Sequence, residues 1–138
     1  MTASFEVIDH TADVGIVARG RDLAELFVSA ARGMFFFIIP GGGVEPRERQ
    51  PVTVEAEDLE GLLIAWLNEL LVILNGEAFL PADFLVEEIT ETRLRAVLAG
   101  EAVDPRRHQF RLDVKAATYH MLEINRNDIW SARVIFDV

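Results

Sequence analysis

A chain of 138 residues, 51% of them hydrophobic, is long and apolar enough to bury a core, so one domain over residues 1–138 is expected and disorder is excluded. With no cysteine there are no disulfides, thiolate metal sites or cysteine nucleophiles, which suits a cytoplasmic protein. A formal net charge of −10 repels phosphate backbones, so direct nucleic-acid binding is not expected; the acidity suits a cation or a basic protein surface, or serves solubility alone.

The first residues carry charge and no basic leader, and the best apolar stretch is interrupted by Asn68 and Glu69, so no membrane span is expected. In chain order, residues 5–8 read as a strand, Asp9-His10-Thr11-Ala12-Asp13 as a polar turn, and residues 14–18 as a second strand. Asp22 followed by Glu25 forms a capping pattern. Leu23, Leu26, Phe27, Ala30, Met34, Phe35 and Ile38 then recur at helical spacing until Pro40 and three glycines end the helix.

Residues 41–50 read as a loop, either a contact segment or a plain connector. Residues 52–56 alternate as a strand, and Asp58 can cap a second helix closed by Asn75-Gly76, with Leu59, Leu62, Leu63, Trp66, Leu70, Ile73 and Leu74 as its stripe. Strands are then expected over 84–90, 94–100, 110–118, 121–125 and 129–137, with hairpin turns at Glu91-Thr92 and Arg126-Asn127-Asp128 and a looser turn at 104–107. The order lacks the strict βαβ alternation of nucleotide-binding folds and predicts an α+β domain, a largely antiparallel or mixed sheet packed with two amphipathic helices.

Three places carry possible chemistry. Asp9, His10 and Asp13 put two carboxylates and an imidazole in one turn; carboxylates are hard donors for magnesium, calcium or manganese, but such side chains also cap turns. At the other end of the chain, a strand runs into Asp137 and Val138, whose α-carboxylate would add a second anion beside Asp137. Between them, strand alternation puts Lys115, Ala117 and Tyr119 on one face and Ala116, Thr118 and His120 on the other, as a polar site or as a solvent face with Tyr119 half buried. No two of His10, His108 and His120 stand at zinc spacing, and the glycines form neither a phosphate loop nor a nucleophile elbow.

Taken together, HTADVGI near the start, WLNELL in the second helix, VKAATYH, and IFDV at the end resemble the archease family over essentially the whole chain. Ala117 stands where a larger apolar residue is usual. The resemblance implies an archease-like fold and a protein that is not itself an enzyme. Such a protein partners an RtcB-type RNA ligase, promoting its guanylylation and multiple turnover in tRNA splicing and RNA repair. It also implies that Asp13, Asp137 and Val138 hold a divalent metal ion (calcium, magnesium or manganese). Lys115 then becomes a candidate for contacting the ligase, with His10, Thr118, Tyr119 and His120 as support. Two other functions fit the same residues: a small metal-dependent phosphoesterase, and a chaperone-like binding module for other RNA-processing proteins.

Overall fold

The computed structural model describes residues 4–9 and 13–138, so His10, Thr11 and Ala12 lie outside the described residues. In chain order the elements are β1 (Ser4–Asp9), β2 (Val14–Gly20), α1 (Leu23–Ile38), β3 (Glu48–Glu55), α2 (Leu59–Glu77), β4 (Phe79–Ile89), β5 (Arg93–Ala102), β6 (Ala116–Arg126) and β7 (Trp130–Asp137). The fold is α+β, with the strands divided between two antiparallel sheets: a four-stranded sheet ordered β1-β2-β7-β6 and a three-stranded sheet ordered β3-β5-β4.

Both helices begin where a carboxylate can satisfy an orphan backbone donor. Asp22 accepts from the Glu25 N–H at 2.8 Å, and Asp58 accepts from the Gly61 N–H at 2.7 Å. The Glu25 carboxylate accepts from the Arg21 N–H at 3.1 Å, one residue before the cap. Gly76 does not end α2; the helix runs to Glu77, and Ala78 turns the chain in the left-handed region at φ 52°.

Each helix touches strands of both sheets, and among the described residues the sheets do not meet directly. The helices therefore form the layer between them. This explains why α2 buries more than its expected stripe, with Ile64, Leu67 and Leu71 also in the core. α2 is long and apolar enough to cross a membrane, but most of its apolar side chains pack in this core. Trp66 is fully buried and its indole N–H donates to the Phe27 carbonyl at 3.0 Å, joining α2 to α1.

Other boundaries moved for identifiable reasons. β3 starts at Glu48, four residues earlier than expected, because its first residues pair with the end of β5, Glu48 facing Gly100. Pro51 is accommodated because β3 is an edge strand. β4 starts at Phe79 and absorbs an irregularity at Pro81–Asp83. Residues 110–115 are not strand: the Arg111 N–H donates to the Ile38 carbonyl at 2.8 Å, tying this segment to the end of α1. The two strands expected around Tyr119 and His120 are one strand with a bulge. Residues 119–122 face the single Val134 between the pairs Thr118↔Ile135 and Glu123↔Arg133.

Candidate functional site

One end of the four-stranded sheet gathers residues that are far apart in sequence. The β2–β7 ladder closes with Val14 opposite Phe136, so Asp13 and Asp137 occupy the next facing positions beyond it. β6 joins on the other side: Ala116 pairs with Asp137, and the Lys115 N–H donates to the Asp137 carbonyl at 2.8 Å. Asp13, Lys115, Asp137 and Val138 thus share one end of the fold. Asp137 and Lys115 are exposed, while Asp13 and Val138 are half-buried.

The floor beneath them is closely packed. Phe136 is fully buried and meets Phe37 edge to face, with ring centroids 6.1 Å apart. Gly15 lets β2 and β7 approach closely there, since a Cβ would stand 2.9 Å from the Val134 carbonyl oxygen and 2.6 Å from Ile135 Cδ1.

The remaining expected residues fall into different places. His10 lies outside the described residues. The Thr118 hydroxyl donates to the Ile135 carbonyl at 2.8 Å and accepts from the His120 N–H at 3.3 Å, so it staples the start of the bulge. His120 is exposed. Tyr119 is 63% exposed rather than half buried, and it sits by Gly61 at the start of α2. Alternation over 115–120 fails because Lys115 precedes the strand and the bulge displaces Tyr119 and His120. Arg133 holds the far side, donating from Nε to the Met121 carbonyl at 2.9 Å, where Met121 has a φ of 55°.

Among the described residues, neither the Asp13 nor the Asp137 carboxylate has an ion-pair or side-chain hydrogen-bond partner. Two facing carboxylates repel, and a hard divalent cation relieves that repulsion, so the donor chemistry fits such an ion. The described residues hold no group of three or more His, Asp or Glu side chains placed for a metal, so the two carboxylates need further oxygen donors.

Two constellations were missed in the sequence. In the first, Asn68 of α2 bonds both backbone groups of Ala117: its Oδ1 accepts from the Ala117 N–H at 2.8 Å, and its Nδ2 donates to the Ala117 carbonyl at 3.3 Å. The signal was present as a poor helix former amid buried Trp66, Leu67, Leu70 and Leu71.

The second is a clasp around Glu101, which is only 4% exposed. Its carboxylate accepts from the Arg107 guanidinium, from the Glu45 N–H at 2.8 Å and from His108 Nε2 at 2.9 Å. The buried His108 ring is fixed as the Nε2–H tautomer, because its Nδ1 accepts from the Asp104 N–H at 2.9 Å. The clasp ties the loop after α1, through Glu45, and the turn at 104–107, through Arg107, to β5.

The Arg107 hydrogen bond first, and the Glu45 N–H next, hold the Glu101 carboxyl at about 2 instead of 4.5, against the opposing effect of burial. A depressed carboxyl stabilises the fold above its unfolded value, and that contribution disappears as pH falls through the folded one. Urea midpoints are therefore expected to fall between pH 4.5 and about 2, with a shallower decline in Glu101→Gln over that window. Parallel slopes for the two proteins would show that Glu101 does not govern acid stability.

Comparison with known proteins matches residues 5–138 to the archease protein family (MTH1598/TM1083). The chain is 38% identical to a protein archease of Methanosarcina acetivorans, over 97% of this chain and 95% of that one. It is 40% identical to a protein archease of Thermococcus gammatolerans, over 97% and 98%. The solution structure of Methanobacterium thermoautotrophicum protein 1598 superposes with a TM-score of 0.81 at 37% identity, covering 98% of this chain and 99% of that one. The crystal structure of a Thermotoga maritima archease, described as a possible chaperone, shares the fold at a TM-score of 0.67 and 21% identity, covering 96% of each chain.

Proposed function

We propose, from the premise that this chain belongs to the archease family, that it is a non-enzymatic accessory protein of an RtcB-type RNA ligase. In this reading it acts in the cytoplasm, promotes guanylylation of the ligase and restores its multiple turnover in tRNA splicing and RNA repair. The observation that carries the reading is the meeting of Asp13, Asp137 and Lys115 at one sheet end, although the three come from separate parts of the chain.

Asp13, Asp137 and a backbone oxygen of Val138 would hold a divalent cation (calcium, magnesium or manganese), which would supply a positive charge able to bind phosphate oxygens. The chain's own residues do the rest. The two carboxylates present negative charge to a metal-rich, basic cleft, and the exposed Lys115 ammonium beside them can pair with an acidic group on the partner. The overall charge of −10 favours encounter with such a cleft and disfavours contact with RNA. Binding one state of the ligase better than another shifts its population toward that state.

The test is ligation with RNA ends, a 3′-phosphate and a 5′-hydroxyl, in large excess over the ligase. Substoichiometric amounts of this protein are expected to turn a stalled single turnover into many. Unchanged ligation together with unchanged guanylylation would refute the reading. Phosphoester turnover by the chain alone would instead point to a phosphoesterase.

A further inference from the structure

We infer that Asn68 is a positioning residue for the acidic end of the sheet, its side-chain amide taking the place of the strand that β6 lacks on its outer edge. The inference deepens the reading above and rests on it for its functional consequence.

β6 is an edge strand, with β7 on one side only. In an antiparallel ladder alternate residues turn both backbone groups away from the neighbour. Ala117 is such a residue: it faces Phe136 in the register, while its N–H and C=O both go to Asn68. Buried edge groups without partners are costly, and a side chain from α2 supplies both partners at once.

The chemistry selects the residue type. Answering one donor and one acceptor on the same peptide edge requires one acceptor and one donor on a single planar group. Asn and Gln carry that pair on the two neighbouring atoms of one side-chain amide. Asp would keep the acceptor alone, and Lys would bring donors alone. Gln is one methylene longer and would have to fold back where α2 lies against β6. Ala117, buried and small, permits that close approach.

The consequence lies two residues away. Ala117 is followed by the staple of Thr118 and preceded by Lys115, whose N–H is bonded to the Asp137 carbonyl. Fixing the Ala117 peptide to α2 therefore fixes the rung that holds Asp137 beside Lys115. Asn68 touches neither residue, yet it determines their placement against the helix layer.

The experiment is Asn68→Ala in the full chain, read by amide hydrogen exchange and by titrating the variant into the multiple-turnover assay. Exchange at Ala117 and at Lys115 is expected to accelerate by about tenfold or more, with the three-stranded sheet unchanged, as for a local opening. The concentration giving half-maximal activation is expected to rise about tenfold, the scale of losing a supporting residue. Ile73→Val, a conservative change in the α2 core, serves as the control for a general loss of stability and is expected to leave activation unchanged.

If alanine lowers global stability, Asn68→Asp carries the test, since it keeps the shorter of the two bonds and should show a smaller effect at Lys115. Wild-type protection at Lys115 in Asn68→Ala would overturn the inference, as would activation indistinguishable from that of Ile73→Val. If the unaltered protein fails to activate the ligase, the functional reading falls, while the Lys115 exchange still decides whether Asn68 positions this end of the sheet.

Discussion

Asp137→Ala and Asp13→Ala are each expected to reduce ligase activation by about tenfold or more while leaving the urea midpoint nearly unchanged. The first half follows from the proposed role: a cation bound by few protein oxygens loses affinity steeply when one carboxylate is removed, by at least the 10–100-fold typical of supporting residues. The second half follows from the structure. Asp137 is exposed at the end of β7, and neither side chain has an ion pair among the described residues. Removing either should change stability by no more than about 0.5 kcal/mol. Asp137→Asn separates charge from shape, since it keeps an oxygen and loses the anion. Full activation by both alanine variants would dispose of the acidic-end model, and a large fall in the midpoint would show that the carboxylates are structural.

Trp66→Ala is expected to destabilise the protein by about 3–5 kcal/mol in urea unfolding, the range for truncating a buried large aromatic. Trp66 is fully buried, packs edge to face on Phe84 with centroids 6.1 Å apart, and is bonded to the Phe27 carbonyl. The change therefore opens a cavity where α1, α2 and β4 meet, and removes a hydrogen bond between the helices. Trp66→Phe should cost less, keeping most of the ring volume but losing the N–H. Val72→Ala on the same helix, 60% exposed, should stay within about 0.5 kcal/mol. If Trp66→Ala matched Val72→Ala, the helix layer would not be the stabilising core described above.

Both helices were legible in the sequence because local chemistry determines them. Asp22 and Asp58 act as caps, and the apolar repeats follow directly. The hairpin turns were also legible, since each joins strands adjacent in sequence. What local pattern could not reveal depended on distant partners. Residues 110–115 have strand-like composition, but their backbone goes to the end of α1. The bulge at 119–122 depends on Arg133 from the next strand and on the Thr118 staple. The division into two sheets follows from a helix layer touched on both sides, which strand periodicity does not encode.

The candidate site shows the same division. Asp13, Asp137 and Lys115 stood out by chemistry and by resemblance, but only the β2–β7 and β6–β7 registers bring them together. Asn68 was visible as an interruption in an apolar stretch and as a letter of the WLNELL motif, not as a partner of β6. Glu101 was hidden because its partners Arg107, His108 and Glu45 come from a turn and a loop that carry no periodic signal.

The strand order β1-β2-β7-β6 also bears on how the protein is made. β2 emerges early from the ribosome, yet its inner neighbour β7 is translated after all the other elements described. The three-stranded sheet and α2 come from one continuous stretch of chain and can assemble while synthesis continues. The four-stranded sheet must wait, and closing so long a loop is slow. The early hairpin of β1 and β2 is held meanwhile with one edge open. The acidic end exists only after that last pairing, so a nascent chain cannot engage a partner through it before the fold is complete.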